Sequence, residues 1–266
     1  MVRLISNTVT IRDVAEAAGV SISLVSFVLN AKKGPNGEYL CSASKETAER
    51  IVDTAKRLGY KKNMAASSLR SGFSNTLGIV VADISNSFFG EVCRHIENIS
   101  ARAGYLSIFG SSDDNPEKMC QLLNRFIATG VDGLIVAPCA HTGKLLSDIV
   151  RNSVPVVIFD RDLENLAGVG KVMMDNEYAG RQATRHLIEN GHKKIEMVRY
   201  QSDIPTILQR FTGYRKEMEE NGLACYVKDN IISKPTIGID MVDVIKNSYD
   251  RGVDALIFPS NVLTVK

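Results

Sequence analysis

Hydrophobic and polar positions at the start of the chain follow a helical period. Thr10 opens one helix with a capping-box pattern, and Gly19 stops it. Ser21 is well placed as the N-cap of a second helix. The apolar side of that helix is formed by Leu24, Val25, Val28 and Leu29. A third pattern runs from Ser44 to Gly59. We predict a helix-turn-helix, with a plain helical hairpin as the alternative.

A helix-turn-helix places its second helix in the major groove of DNA, so the outward side of that helix determines which bases the domain could recognise. It carries Ser23, Ser26, Phe27 and Asn30, with Ile22 at its edge. Because this side has no Lys or Arg, the helix cannot make the common bidentate contact between arginine and guanine. We expect base recognition through the two serine hydroxyls and through contact of Ile22 and Phe27 with thymine methyl groups.

Beyond these helices, short apolar runs bounded by turn residues alternate with helical stretches. The runs are TLGIVVADI, YLSIFGSS, DGLIVAP, VPVVIFD, KVMMDN, KKIEMVRY and DALIFPS. This alternation predicts an α/β fold whose parallel sheet is wrapped by helices. Such sheets bind ligands beyond the carboxyl ends of their strands, so site residues are expected directly after the runs.

Composition narrows the class of protein. With 266 residues, of which 44% are hydrophobic, the chain is expected to be globular with more than one domain. It has no apolar run of membrane-spanning length and no signal-peptide pattern, so we expect a cytoplasmic protein. Residues 1–72 hold 11 Lys and Arg against 6 Asp and Glu. This basic excess suits phosphate contacts, although a solvated surface is the simpler interpretation.

The sequence favours neither an enzyme nor a metalloprotein. It contains no G-x-G-x-x-G, no P-loop and no G-x-S-x-G motif, and its four histidines have no catalytic spacing. The five cysteines include no C-x-x-C pair, so we interpret them as reduced thiols. We therefore expect no catalytic residues, no cofactor and no metal.

Several stretches in order resemble the lactose-repressor (LacI) family of bacterial regulators. They are TIRDVAEAAGVSISLVSFVLN, SKETAERIVDTAKRLGY, the N-x-x-A-x-x-L-R pattern at residues 63–70, TLGIVVADISNSFFGEV, GVDGLIVAP, VPVVIFDR, VMMDNEYAGRQATRHLIENGHKKIEMV and QRFTGYRKEM. The resemblance implies a three-helix DNA-binding domain at 1–62, a hinge helix and linker at 63–74, and an effector-binding and dimerisation domain at 75–266. That last domain would resemble periplasmic binding proteins, with two doubly wound parallel-sheet subdomains.

The chain also departs from the family pattern. Leu24 and Phe27 stand where the family usually carries Thr and Arg, and Lys62 replaces a proline before the hinge. The loop between the second and third helices, which contains Lys32 and Lys33, is longer than the loop usual in this family. It either contacts DNA phosphates or is an inert loop. Because family members continue past the FPSNVLTVK segment, we expect a C-terminally truncated chain with an incomplete second subdomain.

The resemblance and the residues together define the expected sites. The DNA-binding set is Thr10, Ser21, Ile22, Ser23, Ser26, Phe27, Asn30, Asn63, Ala66 and Leu69. Leu69 would be an apolar wedge in the minor groove, or would instead pack under the sheet domain. The effector set is Phe88, Phe89, Cys139, Asp160 and Arg210. Core packing of the two phenylalanines and a surface ion pair between Asp160 and Arg161 are the alternatives, whereas Arg210 offers five donors in a rigid fork.

We therefore expect a transcriptional regulator, specifically a repressor. It would bind a palindromic double-stranded operator as a homodimer and respond to a small effector, a sugar or sugar derivative, without a membrane partner. A periplasmic-type binding protein with no role on DNA is the second hypothesis, and an enzyme is the third. The missing secretory signal and the missing cofactor motifs argue against these two.

Overall fold

The computed structural model describes residues 9–31, 43–61, 68, 72–152, 154–163, 166–201, 204–232 and 237–263. The chain divides into two compact units, Met1–Ser74 and Asn75–Lys266. The first unit is helical, and the second is built on two parallel sheets. This confirms the predicted α/β class with N-terminal helices.

Three helices pack together in the described part of the first unit. They are α1 (Ile11–Ala18), α2 (Ile22–Asn30) and α3 (Lys45–Arg57). The predicted capping box is present, because the Thr10 side chain accepts from the Asp13 N–H and the Asp13 side chain accepts from the Thr10 N–H. Gly19 ends α1 in the left-handed region, with φ 64° and ψ 39°. The chain then bends by 106° into α2, within the range of a helix-turn-helix.

The core of this unit lies where the three helices meet. Its buried side chains are Val14, Ala15, Ala18, Val25, Val28, Ala48, Ile51 and Ala55. Two of the four residues predicted for the apolar side of α2 are in this set, and Leu24 and Leu29 pack against it half-buried. No single helix among the described residues is long and apolar enough to cross a membrane, and α1 and α2 reach that length only as a bent pair.

The second unit begins with a five-stranded sheet and its helices. In chain order these are β1 (Thr76–Val81), α4 (Ser87–Arg102), β2 (Leu106–Ser111), α5 (Pro116–Ala128), β3 (Gly133–Val136), α6 (Gly143–Arg151), β4 (Val156–Phe159) and β5 (Gly170–Val172). All pairings are parallel, in the order β2-β1-β3-β4-β5. Ile79 and Val81 pack with Phe89 of α4, whereas Val80 packs with Leu123 of α5 on the other face. The sheet is therefore covered by helices on both faces.

A smaller sheet follows. Its elements are α7 (Asn176–Glu189), β6 (Ile195–Tyr200), α8 (Pro205–Glu220), β7 (Asp229–Ile232), α9 (Ile237–Asp250), β8 (Ala255–Ile257) and a final 3₁₀ turn at Asn261–Leu263. The order β7-β6-β8 repeats the β2-β1-β3 order of the first sheet. The apolar runs of the sequence did not predict strand β7, because its first two residues are polar. Asp229 instead pairs with Arg199, and the Asn230 amide donates to Glu196.

Two glycines bring α7 and α8 into backbone contact. A Cβ atom on Gly180 would lie 2.1 Å from the carbonyl oxygen of Arg210, and one on Gly213 would lie 2.0 Å from that of Glu177. No side chain fits at either position without moving a helix. This contact fixes the backbone of Arg210 and therefore the position of the Cα atom that carries its side chain.

Candidate functional site

The outward face of α2 combines exposed apolar groups with one exposed hydroxyl. Ile22 is 42% exposed and Phe27 is 54% exposed, and among the described residues of α1, α2 and α3 they are the two exposed large hydrophobic side chains. Ser23 is also exposed. The face therefore offers apolar surface to a partner where a positive charge would be ordinary for a DNA-binding helix.

The remaining predicted DNA-binding residues that the structure describes in the first unit form local hydrogen bonds at the ends of α1 and α2. The Ser21 hydroxyl accepts from the Leu24 N–H at 3.2 Å, and the Asn30 amide donates to the Ser26 carbonyl at 2.6 Å and to its hydroxyl at 3.3 Å. Hydrogen bonds from the backbone and side chain of Thr10 lower the pKa of Asp13. Three further candidates, Asn63, Ala66 and Leu69, lie outside the described residues.

A cavity of about 690 Å³ opens within the second unit, where the two sheets point their carboxyl ends at one another. From the first sheet it receives residues that follow β1, β2 and β4, and from the second it receives the end of β6, the start of α8 and the turn after β8. Four of the five predicted effector residues line it: Phe88, Phe89, Asp160 and Arg210.

The two adjacent phenylalanines occupy different environments. Phe88 is 44% exposed and lines the cavity, whereas Phe89 is buried against Phe159 with ring centroids 6.2 Å apart. The two rings meet edge to face at 5.0 Å. The core-packing alternative therefore applies to most of the Phe89 side chain and does not apply to Phe88.

A small buried charge cluster lies beside the cavity. Arg161 is 7% exposed and forms an ion pair with Asp114, and its Nε lies 3.6 Å from a carboxylate oxygen of Asp160. The Asp160–Arg161 pair is therefore largely buried rather than a surface ion pair. Burial raises the pKa of Asp160, although Arg161 and Arg210 act in the opposite direction. Asp160 also has a φ of 64°, a conformation that Asp and Asn tolerate best after glycine.

Arg210 is oriented before any ligand arrives. Its Nε donates to the Asn176 amide oxygen at 2.9 Å and its Nη1 donates to the Pro259 carbonyl at 2.5 Å. These partners come from the start of α7 and from the segment after β8. The fork of the guanidinium is thus fixed at the edge of the cavity.

Comparisons with known proteins agree with this geometry. Residues 10–63 match the family model for bacterial regulatory proteins of the LacI family, and residues 74–241 match the model for periplasmic binding proteins and the sugar-binding domain of the LacI family. Catabolite control protein A from Priestia megaterium is 32% identical over 249 residues, 93% of this chain and 69% of that protein.

The chain belongs to the LacI family of bacterial regulatory proteins. It is a transcriptional regulator and not an enzyme. Catabolite control protein A from Staphylococcus epidermidis is 34% identical over 191 residues, which are 72% of this chain and 55% of that relative. The crystal structure of a LacI-family transcriptional regulator from Silicibacter pomeroyi superimposes with a TM-score of 0.70 at 25% identity, over 94% of this chain and 73% of that one.

One predicted effector residue of this LacI-family chain lies elsewhere. Cys139 is 1% exposed and belongs to the core under the first sheet, where its N–H donates to the Met119 sulfur and its thiol contacts the Ser112 hydroxyl at 3.4 Å. Burial raises the pKa of this thiol. Because β3 is followed by a turn that folds back into the core, Cys139 does not line the cavity.

The structure also adds cavity residues that the sequence did not single out. Asp114 and Asn86 lie in the stretches that follow β2 and β1, where ligand contacts were expected, but nothing in the sequence distinguished them from their neighbours. The Asn261 amide donates to the Asn86 amide oxygen at 2.7 Å and so bridges the two subdomains across the cavity. Only the fold brings these two asparagines, 175 residues apart, together. Among the described residues no cluster of His, Cys, Asp and Glu could hold a metal ion.

Proposed function

We propose that this LacI-family chain represses transcription by binding a palindromic DNA operator as a homodimer, and that a sugar in the cavity controls that binding. The observation that carries the proposal is the cavity of about 690 Å³ lined by polar groups of both subdomains, in a chain that begins with a helix-turn-helix. Its volume lies within the usual range for small-molecule sites.

The chemistry of the lining supports a polyhydroxylated effector. A sugar hydroxyl can accept from the guanidinium of Arg210 and donate to the carboxylate of Asp160, while Phe88 offers an apolar face. The family description of the matched segment, a sugar-binding domain, points to the same class.

Charge within the cavity favours an uncharged sugar over a sugar phosphate. The lining contains four carboxylates, on Asp83, Glu91, Asp114 and Asp160, against two guanidinium groups, on Arg161 and Arg210. Arg161 already pairs with Asp114. Even with the partial positive charges at the N-termini of α4 and α8, a phosphate would enter an acidic cavity.

The proposed division of labour follows the chain. Residues 1–62 bind DNA, residues 63–74 act as hinge and linker, and residues 75–266 bind the effector and dimerise. Within the hinge, Asn63, Ala66 and Leu69 are proposed to contact the operator centre, with Leu69 as the wedge. The name of the relatives, catabolite control protein, supports a role in the control of catabolic genes, which would be exerted on DNA in the cytoplasm.

The proposal is tested with the purified 266-residue chain. Duplexes selected from a random pool should carry two inverted half-sites, and sedimentation of the complex should give two chains per duplex. Titration with neutral sugars and their phosphates should then change operator affinity with a neutral sugar only. Failure to enrich any duplex would overturn the function on DNA, whereas a response to phosphates alone would overturn the assignment of an uncharged effector.

A further inference from the structure

The side chains of α2 that remain exposed for base contact are few. Ser21 caps the helix and Asn30 is bonded to Ser26, so these polar groups already serve the fold. Ile22, Ser23 and Phe27 are exposed. Ser21 and Asn30 are exposed as well, at the two ends of the helix, so the face between them presents two apolar side chains with a single exposed hydroxyl lying between them around the helix.

The exposed apolar groups match only one feature of the major groove. Among the four bases, thymine alone carries a methyl group in the major groove, at C5, where cytosine carries only a hydrogen atom; the hydrogen-bonding groups of the base edges are polar. Ile22 and Phe27 are five residues apart, or roughly 7.5 Å along the helix axis, which is about the rise of two base-pair steps. Two methyl groups two steps apart are therefore within the span of this face.

Ser23 does not distinguish thymine from cytosine. At the atom next to the C5 position, thymine presents an O4 acceptor and cytosine an N4 donor. A serine hydroxyl both donates and accepts, and it rotates to suit either partner. α2 has no Lys, Arg, Asp or Glu, and the Asn30 amide at its far end donates to Ser26, so no charged donor or acceptor of this helix enforces the choice.

We propose that α2 recognises the C5 methyl group of pyrimidines itself, so that 5-methylcytosine is accepted in place of thymine at the contacted positions. Ile22 and Phe27 make the methyl contacts and Ser23 tolerates either neighbouring group. Cytosine methylation of DNA would then create binding sites for this chain. The inference rests on the proposed function, because it concerns the same contact with DNA.

The decisive experiment changes the DNA and leaves the protein intact. In a selected duplex, each thymine is replaced in turn by deoxyuridine, which lacks only the methyl group. At one or two positions per half-site we expect about fourfold weaker binding, the loss that corresponds to one buried methyl group. At those positions 5-methylcytosine paired with guanine should bind more tightly than cytosine paired with guanine by a similar factor.

Protein variants then assign each methyl group to its contact. Phe27→Ala or Ile22→Ala should weaken binding to the thymine duplex and abolish the difference between thymine and uracil at one position each. Both side chains lie outside the core, so the helices should fold unchanged. Leu208→Ala, which truncates an exposed apolar side chain of α8, is the matched control and should keep the full methyl dependence.

Three results would overturn the inference in distinguishable ways. Equal binding of thymine and uracil duplexes at every position removes methyl recognition while the function on DNA stands. A methyl dependence that survives in both Ile22→Ala and Phe27→Ala removes its assignment to α2. If no duplex is enriched from the random pool at all, the proposed function fails and the inference fails with it.

Discussion

The outward face of α2 and the cavity of the second unit hold their contact residues in opposite ways. On α2, Ile22 and Phe27 project from the surface and, among the described residues, belong to no core cluster. In the cavity, Arg210 and Arg161 are already hydrogen-bonded to the protein. The first face is therefore adaptable and apolar, whereas the second is polar and oriented before binding.

This difference determines how each region should respond to mutation. A change of Ile22 or Phe27 should alter what is bound but leave the fold intact, because neither side chain belongs to the core of the three helices. A change at the cavity also alters the structure that orients the side chains. The α7–α8 contact shows this most clearly, since it lies behind the cavity and supports Arg210 through its backbone.

The largest effect is expected from Gly180→Ala. The added Cβ would lie 2.1 Å from the Arg210 carbonyl oxygen, so α7 and α8 must separate, at a cost of about 3 kcal/mol of unfolding free energy. Denaturant unfolding measures the loss. Gly90→Ala is the matched control, because a Cβ atom on that helical glycine would meet no described neighbour within 4 Å. It should stabilise the chain by about 0.5–1 kcal/mol. Equal behaviour of the two variants would contradict the close contact.

Arg210→Ala should separate the two regions functionally. Loss of the fixed guanidinium should weaken effector binding by about 2 kcal/mol, or roughly thirtyfold, the range for hydrogen bonds from charged groups. Operator affinity without effector should not change. Calorimetry with the neutral sugar found by titration measures the first quantity. Arg215→Ala, which removes a half-exposed guanidinium of the same helix, is the control. If the Arg210→Ala variant bound the sugar with unchanged affinity, Arg210 would not be an effector-binding residue.

Local rules explain how much could be predicted from the sequence. Capping and helical period predicted α1, α2 and α3 because their signals lie within a few residues of each other. Alternating apolar runs likewise predicted every described strand except β7, whose polar start bonds to distant Arg199 and Glu196. The cavity pairs depend on contacts over long sequence separations. The sheets bring Asn86 to Asn261 and Arg161 to Asp114, and no local pattern in the sequence marks either pair.

A smaller effect is expected from Ser21→Ala. The hydroxyl accepts from the Leu24 N–H at the start of α2, and its removal should cost about 1 kcal/mol of stability. Thermal unfolding measures this cost, and the preferred operator sequence should be unchanged in a repeated selection. Ser23→Ala is the comparison, because that exposed hydroxyl caps no helix. A changed base preference in Ser21→Ala would show that this serine reads DNA as well as capping α2.

The smallest effect, and one of opposite sign, is expected from Asp160→Asn. Burial raises the pKa of Asp160 above its ordinary value of 3.8, so the ionised carboxylate at neutral pH destabilises the folded chain. This cost is absent below the ordinary value, grows as the pH rises from there, and is complete above the higher pKa of the folded state. Asparagine keeps the left-handed backbone at φ 64° and carries no charge.

The variant should therefore be more stable than the parent at pH 7, and the two should converge as the pH falls toward 4. Thermal unfolding across this range measures both. Effector binding should weaken at the same time, because a sugar hydroxyl loses a charged acceptor. A variant less stable than the parent at neutral pH would mean that attraction to Arg161 and Arg210 outweighs burial, and that the carboxylate is held by the fold rather than retained for the ligand.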